Sequence, residues 1–291
     1  MAGMLGFLNV HKPAGPTSHD VVATVRRMLP RKTRVGHAGT LDPFASGVLV
    51  LCIGRATRLA DFVQAQPKCY RAEVTLGAVS RTDDTEGPIT TVTDAAPSPP
   101  PAVAEAVSAF LGRIEQVPPA HSAVHVDGKR AYALARKGDA PDLPARPVDV
   151  HRIEVLDYAW PRLTIDVACG SGTYIRSLAR DIGEALGVGG YCSRLVRTAV
   201  GAFEIGSAIA PDQLDFARDL IAPLAGLGDM PRVTIDAEGA ALVLNGRPVP
   251  AAGAVPSGTV ALVGPEGRLL AIAEADDGRL HPAKVFPPER S

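Results

Sequence analysis

The chain has 291 residues, 46% hydrophobic and 21% charged, with a formal net charge of −1. That balance belongs to a globular protein and excludes a collagenous, coiled-coil or mostly disordered chain. The longest apolar run, Val48 to Ile53, is far too short to span a bilayer.

The small net charge hides an asymmetry. Residues 1–70 carry nine Lys/Arg against three Asp/Glu, and residues 201–291 carry seven against twelve. A basic first quarter with an acidic last third fits a polyanion lying against one face. The first residues, MAGMLGFLNVHKP, contain no basic segment followed by a long apolar core. The four cysteines, Cys52, Cys69, Cys169 and Cys192, lack zinc-site spacing. The expectation is a reduced cytoplasmic chain with no membrane association and no metal site.

In chain order, Gly6 to Val10 predicts a short strand, and Thr17-x-x-Asp20 has the pattern of a capping box. The helix that follows places Val21, Val22, Val25, Met28 and Leu29 on one face, and Pro30 ends it. Arg26, Arg27, Arg31, Lys32 and Arg34 then crowd nine residues that hold no acid. They read as a solvated helix end or as a phosphate-contacting patch. Gly47 to Ile53 is a strand buried on both faces, Arg55 to Val63 a short helix, and Tyr70 to Leu76 an alternating strand. A proline-rich connector over 94–101 leads to a helix over Val103 to Leu111, packed through Phe110 and Leu111 among others.

From Pro118 to Pro147 the pattern is mostly loop, with one helical stretch near Arg130 to Lys137. Val148 to Leu156 and Leu163 to Ala168 predict a strand pair. Gly170-Ser171-Gly172 opens a helix with a stripe of Ile175, Leu178, Ile182 and Leu186, and Tyr191 to Val200 is extended. Beyond Gly228, glycines at 246, 258, 267 and 278 punctuate short apolar runs, the texture of a small all-β barrel. The fold class is thus α+β over 1–228, with a small barrel domain over 229–291.

Two features could carry chemistry. Asp42, in Gly36-His37-Ala38-Gly39-Thr40-Leu41-Asp42-Pro43, is an isolated carboxylate before a buried strand. No GK[ST] follows, so this is not a phosphate loop. An aspartate there reads as a turn residue bonded to its own backbone or as a reacting group. Tyr174 and Arg176 flank the start of the later helix, where they could border a pocket or sit at the core margin and in solvent.

GHAGTLDPFASGVLVLCIGRATRL resembles the active-site segment of the TruB-type pseudouridine synthases, and three further segments match in order over about residues 5–200. They are GFLNVHKPAGPTSHDVV, QVPPAHSAVHVDGKRAYALARKG and CGSGTYIRSLARDIGEALG. The resemblance implies a mixed, largely antiparallel catalytic sheet. It also implies isomerisation of the T-loop uridine (position 55) of tRNA, without cofactor. By motif position Asp42 becomes the catalytic carboxylate and His37 a T-loop contact. Tyr70 stacks on the extruded uracil, Tyr174 lies beside the target nucleotide, Arg176 pairs with the aspartate, and Leu195 lines the pocket. About 118–147 would close over the RNA, and the tail would be a PUA-like domain reaching the acceptor end. Nothing demands more than a monomer. The family usually shows Thr-Asp-Thr-x-Asp where this chain has Ser80-Arg81-Thr82-Asp83-Asp84, and it departs again at His11, His121 and His125.

Breaking an N–C bond, rotating the base and forming a C–C bond exchanges no electrons, so a carboxylate and a confined pocket suffice. A carboxylate buried beside an apolar strand is costly to ionise alone, and an arginine partner would favour its charged form. Two other readings stay open at this level. A non-catalytic tRNA-binding or folding protein would use the basic patch and the barrel. A hydrolase releasing uracil would bring a second acid, for which Asp20 stands upstream.

Overall fold

The computed structural model describes residues 4–120, 125–126, 129–130 and 143–287. Its first layer comprises β1 (Gly6–Lys12), α1 (Ser18–Arg27), β2 (Val35–His37) and β3 (Ser46–Ile53). Strand β3 is apolar from Val48 to Ile53 because both of its faces are covered. Leu49, Leu51 and Ile53 pack with Leu8, Val10 and the α1 valines. On the opposite face Val48, Val50 and Cys52 pack with Phe7, Ala56, Leu59 and Val63. The last three belong to a 3-10 turn (Gly54–Leu59) and to α2 (Ala60–Ala65). The Thr17 capping box forms in both directions: its hydroxyl accepts from the Asp20 N–H, and its own N–H donates to the Asp20 carboxylate. The helix ends at Arg27, so Met28 lies exposed rather than on the buried stripe.

Next come β4 (Lys68–Leu76), the hairpin β5 (Ala78–Ser80) and β6 (Ile89–Thr91), α3 (Pro100–Ser108) and β7 (Gly112–Gln116). Helix α3 starts inside the proline run, with Pro at its first positions where no N–H is needed. It ends three residues earlier than the sequence pattern suggests, which leaves Leu111 exposed. Within 118–147 the described strands are a small antiparallel pair, β8 (His125–Val126) and β9 (Lys129–Arg130), and the start of β10. The helical stretch expected at Arg130 to Lys137 lies, beyond Arg130, outside the described residues, as does His121. Strands β10 (Arg146–Ala159) and β11 (Arg162–Cys169) form the expected antiparallel pair. They are followed by α4 (Ile175–Ala185), β12 (Gly190–Val200) and β13 (Phe203–Glu204).

The main sheet runs β1-β3-β12-β4-β11-β10-β7, with β2 against β3 and β13 against β12. All neighbours are antiparallel except β12 and β3, which meet in parallel at Val196↔Ser46 and Arg197↔Gly47. Alternation sets one buried face: Tyr70, Ala72 and Val74 of β4 stand opposite Val167, Ile165 and Leu163 of β11. The α4 stripe of Ile175, Leu178, Ala179 and Ile182 packs onto that face.

The last five strands are β14 (Arg232–Thr234), β15 (Val249–Pro250), β16 (Gly258–Val263), β17 (Leu269–Asp276) and β18 (Arg279–Val285). They form a curled sheet in the order β14-β16-β17-β18-β15. The expected small barrel takes the form of this curled sheet, and helix α5 (Ala237–Leu244), which the sequence reading did not place, packs its Ala240 and Val243 on one face of it. The other face is not solvated. Ala261, Leu269, Ile272 and Phe286 join the cluster of Phe7, Ala56 and Leu59. Across this seam Arg58 donates to the Val285 carbonyl at 2.8 Å, and Lys284 donates to the Arg58 carbonyl at 2.8 Å.

Candidate active site

The segment joining β2 to β3 carries Asp42, and its backbone is tied from three sides. The Ser18 hydroxyl, in the first turn of α1, accepts from the Leu41 N–H and donates to the Leu41 carbonyl, both at 2.9 Å. Lys12, fully buried at the end of β1, donates to the carbonyls of Pro13 (2.9 Å), Pro16 (2.7 Å) and Pro43 (3.2 Å). Burial pulls this ammonium down to about 8, against the opposing pull of the Asp42 carboxylate. From β12, Arg197 donates to the carbonyls of Gly39 and Thr40 (3.1 Å each) and Val48 (2.7 Å). A loop rich in small residues is thereby held by side chains from β1, α1 and β12.

Asp42 is not buried as the apolar neighbourhood suggested; its side chain is 34% exposed. Its partner is buried instead. The Arg176 side chain, 4% exposed, places Nε 2.9 Å from the Asp42 carboxylate. Its Nη1 reaches the Asp84 carboxylate at 3.2 Å and donates to the Thr82 carbonyl at 3.0 Å. Asp84, 2% exposed, is held in turn by the Thr82 hydroxyl and by the Glu86 N–H at 2.9 Å. The result is a directed arrangement. A buried carboxylate fixes a buried guanidinium, and that guanidinium presents its other edge to a carboxylate at the site's mouth.

Tyr174 is the N-cap residue of α4, with its backbone clamped by Gln116. The Tyr174 N–H donates to Gln116 Oε1 at 2.8 Å, and Gln116 Nε2 donates to the Tyr174 carbonyl at 3.1 Å. Beside it opens a small groove of about 140 Å³, walled by Gln116, Arg146, Val148, Ser171, Gly172 and Tyr174. Tyr70 and Leu195 are buried in one cluster with Leu41 and Phe44. Tyr70 stands opposite Arg197 across the β4–β12 ladder. Burial raises its phenol, and the Arg197 guanidinium opposes that rise.

His37 lies at the end of β2, half-buried, with its ring edge-on to His19 at 5.3 Å. Burial, then the charges of His19 and Arg197, lower its pKa, and its Nδ1 has no hydrogen-bond partner among the described residues.

Of the basic run, Arg26 serves the fold by donating to the Val35 carbonyl at 3.0 Å, and Arg27 donates to Thr24 at 3.1 Å. Arg31, Lys32 and Arg34 are exposed and lie beyond the end of α1. Among the described residues no group of three or more His, Cys, Asp or Glu could hold a metal ion. No helix of the described residues is long and apolar enough to cross a membrane.

Sequence reasoning brought Asp42 and Arg176 together and missed Asp84, Arg197 and Gln116. A signal existed for Arg197, a charge inside the otherwise apolar alternation of β12. Asp84 is the last position of the acidic motif, where the family pattern is kept.

Comparison with known proteins accords with this geometry. Residues 26–175 match the family model of the TruB family pseudouridylate synthase N-terminal domain. Residues 230–287 match that of the tRNA pseudouridine synthase II C-terminal region. The chain is 49% identical to tRNA pseudouridine synthase B of Symbiobacterium thermophilum, over 83% of this chain and 82% of that protein. It is 40% identical to the protein of the same name from Syntrophomonas wolfei, over 97% and 99%. Among solved structures it resembles a chain of a Cbf5-Nop10-Gar1 complex, with TM-score 0.76 and 29% identity over 98% of this chain and 86% of that one. On the strength of those matches, which take in nearly every residue from the catalytic sheet to the curled one, the chain belongs to the TruB family of pseudouridylate synthases.

Proposed function

We propose that this protein isomerises uridine to pseudouridine in tRNA, acting on the T-loop, with Asp42 as the reacting group. The observation that carries this reading is the Asp42 carboxylate, 2.9 Å from a buried Arg176 and still open to the outside. A group that must meet a flipped-out nucleotide needs both an oriented charge and an approach. Whether the carboxylate attacks the nucleotide or removes a proton, it must be ionised, and the fixed guanidinium favours that form. Tyr70 offers the extruded base a stacking surface, an interaction worth roughly 1–3 kcal/mol per base, and Leu195 closes the apolar side. Tyr174 and His37 border the nucleotide and the loop around it. Arg27, Arg31, Lys32 and Arg34 meet backbone phosphates. The division of labour gives catalysis to 1–228. The acceptor end goes to 229–291, with one chain sufficing, in the cytoplasm.

The hydrolase reading weakens because Asp20 is consumed by the capping box. Glu86 remains an acid in the field of Asp42, its carboxyl raised by desolvation first and by the Asp84 and Asp42 charges second. One experiment separates the readings. Unmodified tRNA transcript is incubated with the protein and with Asp42→Asn, and both pseudouridine and free uracil are assayed. Pseudouridine from the parent alone, with RNA binding retained in the variant, is the expected result. Free uracil would establish hydrolysis, and neither product with intact binding would establish a non-catalytic role.

A further inference from the structure

Helix α4 bears two arginines four residues apart, hence on one face, and both grip the same short turn. Arg176 donates to the Thr82 carbonyl and pairs with Asp84. One turn further along, Arg180 Nη1 pairs with Asp83 at 2.9 Å. Residues 82–84 are thus held by alternate contacts to two successive turns of one helix. Asp83 sits between them in a left-handed conformation, φ +60°, that aspartate and asparagine tolerate better than most residues. Its carbonyl accepts from the Cys192 N–H at 3.0 Å, so the turn is also pinned to β12.

The Arg180–Asp83 pair is not a loose surface contact. The side chains are 21% and 13% exposed, and Arg180 is further fixed by Asp181 at 2.8 Å. Its Nη2 also donates to the Val117 carbonyl at 3.0 Å, which takes a second hydrogen bond from Ser177 at 2.8 Å. Val117 follows Gln116, the residue that clamps Tyr174. One guanidinium therefore braces both segments that frame Arg176 and Tyr174, without itself reaching Asp42.

We propose that Arg180 and Asp83 are positioning residues of the isomerisation site, holding the 82–84 turn so that Asp84 and Thr82 aim Arg176 at Asp42. The assignment rests on the function proposed above. It follows from the order of contacts: Asp42 is oriented by Arg176, Arg176 by Asp84 and Thr82, and that turn by Asp83 on Arg180. A displacement of about 1 Å at a reacting group can cost on the order of 100-fold in rate, and this brace is the contact that resists it.

The test is steady-state kinetics of Asp83→Asn, Arg180→Gln, the double variant and Arg180→Lys on unmodified tRNA transcript. Asparagine keeps the shape and the left-handed turn while removing the charge. Each neutral single variant is expected to lower kcat about 10- to 100-fold, with KM within about threefold of the parent. The double variant should be no worse than the poorer single one, because both remove one device. Arg180→Lys, which keeps a cation for Asp83, should recover part of the loss. Neutral variants with kcat within about twofold of the parent overturn the assignment, as does a rise in KM with kcat unchanged. If Arg180→Gln does not fold, Asp83→Asn decides alone by the same criteria. A parent protein that makes no pseudouridine removes the reading of function and this assignment together. Parent turnover with undisturbed variants removes this assignment only.

Discussion

Lys12 shows how a single buried charge can be measured. Its ammonium, fully buried, holds three carbonyls around the Asp42 loop, and burial lowers its pKa from 10.5 to about 8. Below about pH 8 the folded and unfolded chains both keep the proton, so stability does not change with pH on its account. Between about 8 and 10.5 the unfolded chain binds more protons than the folded one, and stability rises with pH. Relative to Lys12→Met, the parent should therefore gain ~1–2 kcal/mol between about pH 7 and about pH 9.5. Urea titrations at both pH values check this, and a constant difference would mean an ordinary lysine. How far such residues could be read in advance depended on whether an ordered motif carried them. Asp42 and Arg176 sit in distinctive segments, and the structure brings them within 2.9 Å of each other. Asp84 and Arg197 lie outside those segments, and only the fold brings to them partners some 90 and 160 positions away in sequence.

Among the elements, α4 governs the site because it carries Tyr174 at its cap, Arg176 in its first turn and Arg180 in its second. Its stripe of Ile175, Leu178 and Ile182 is evident from spacing alone, since each buried contact recurs every three or four residues. Its depth against the sheet is not evident. Gly183 approaches the start of β12 so closely that an added Cβ would lie 2.2 Å from the Gly190 nitrogen and 2.3 Å from the Gly189 carbonyl carbon. Neither atom belongs to a side chain that could rotate away. In an open helix interior Gly→Ala stabilises by about 0.5–1 kcal/mol. Here Gly183→Ala should instead destabilise by about 1–3 kcal/mol. Chemical denaturation reads the sign directly, and a more stable variant would show that α4 stands further from β12. The strand limits were less legible than the helix stripe: β4 begins at Lys68 rather than Tyr70 because a buried lysine breaks the apolar pattern while keeping the pairing.

Across the whole molecule, charge and packing divide the chain differently. The positive balance of residues 1–70 against the negative one of residues 201–291 follows composition. The hydrophobic cluster joining Phe7 and Leu59 to Leu269 and Phe286 ignores it. If the exposed cations after α1 face phosphates, RNA affinity must fall with salt. Replacing Arg27, Arg31, Lys32 and Arg34 by glutamine should flatten log K against log salt by about 0.7–0.9 for each lost phosphate contact. Arg26 is left in place because it holds the Val35 carbonyl. Filter binding over a salt series checks this, and an unchanged slope would leave those residues as solvated charges.

Periodicity was enough to locate most helices and strands, because a buried face repeats every two or every three to four residues wherever one side meets a core. Ordered motifs were enough to single out Asp42, Tyr174 and Arg176 as residues to compare with a known family. The parallel meeting of β12 with β3 came from long-range packing. So did the helix laid on the last sheet, the shared cluster beneath it and the chain of contacts from Arg180 to Asp42. Those features join segments distant along the chain, and their free energy exists only after the chain has folded around them.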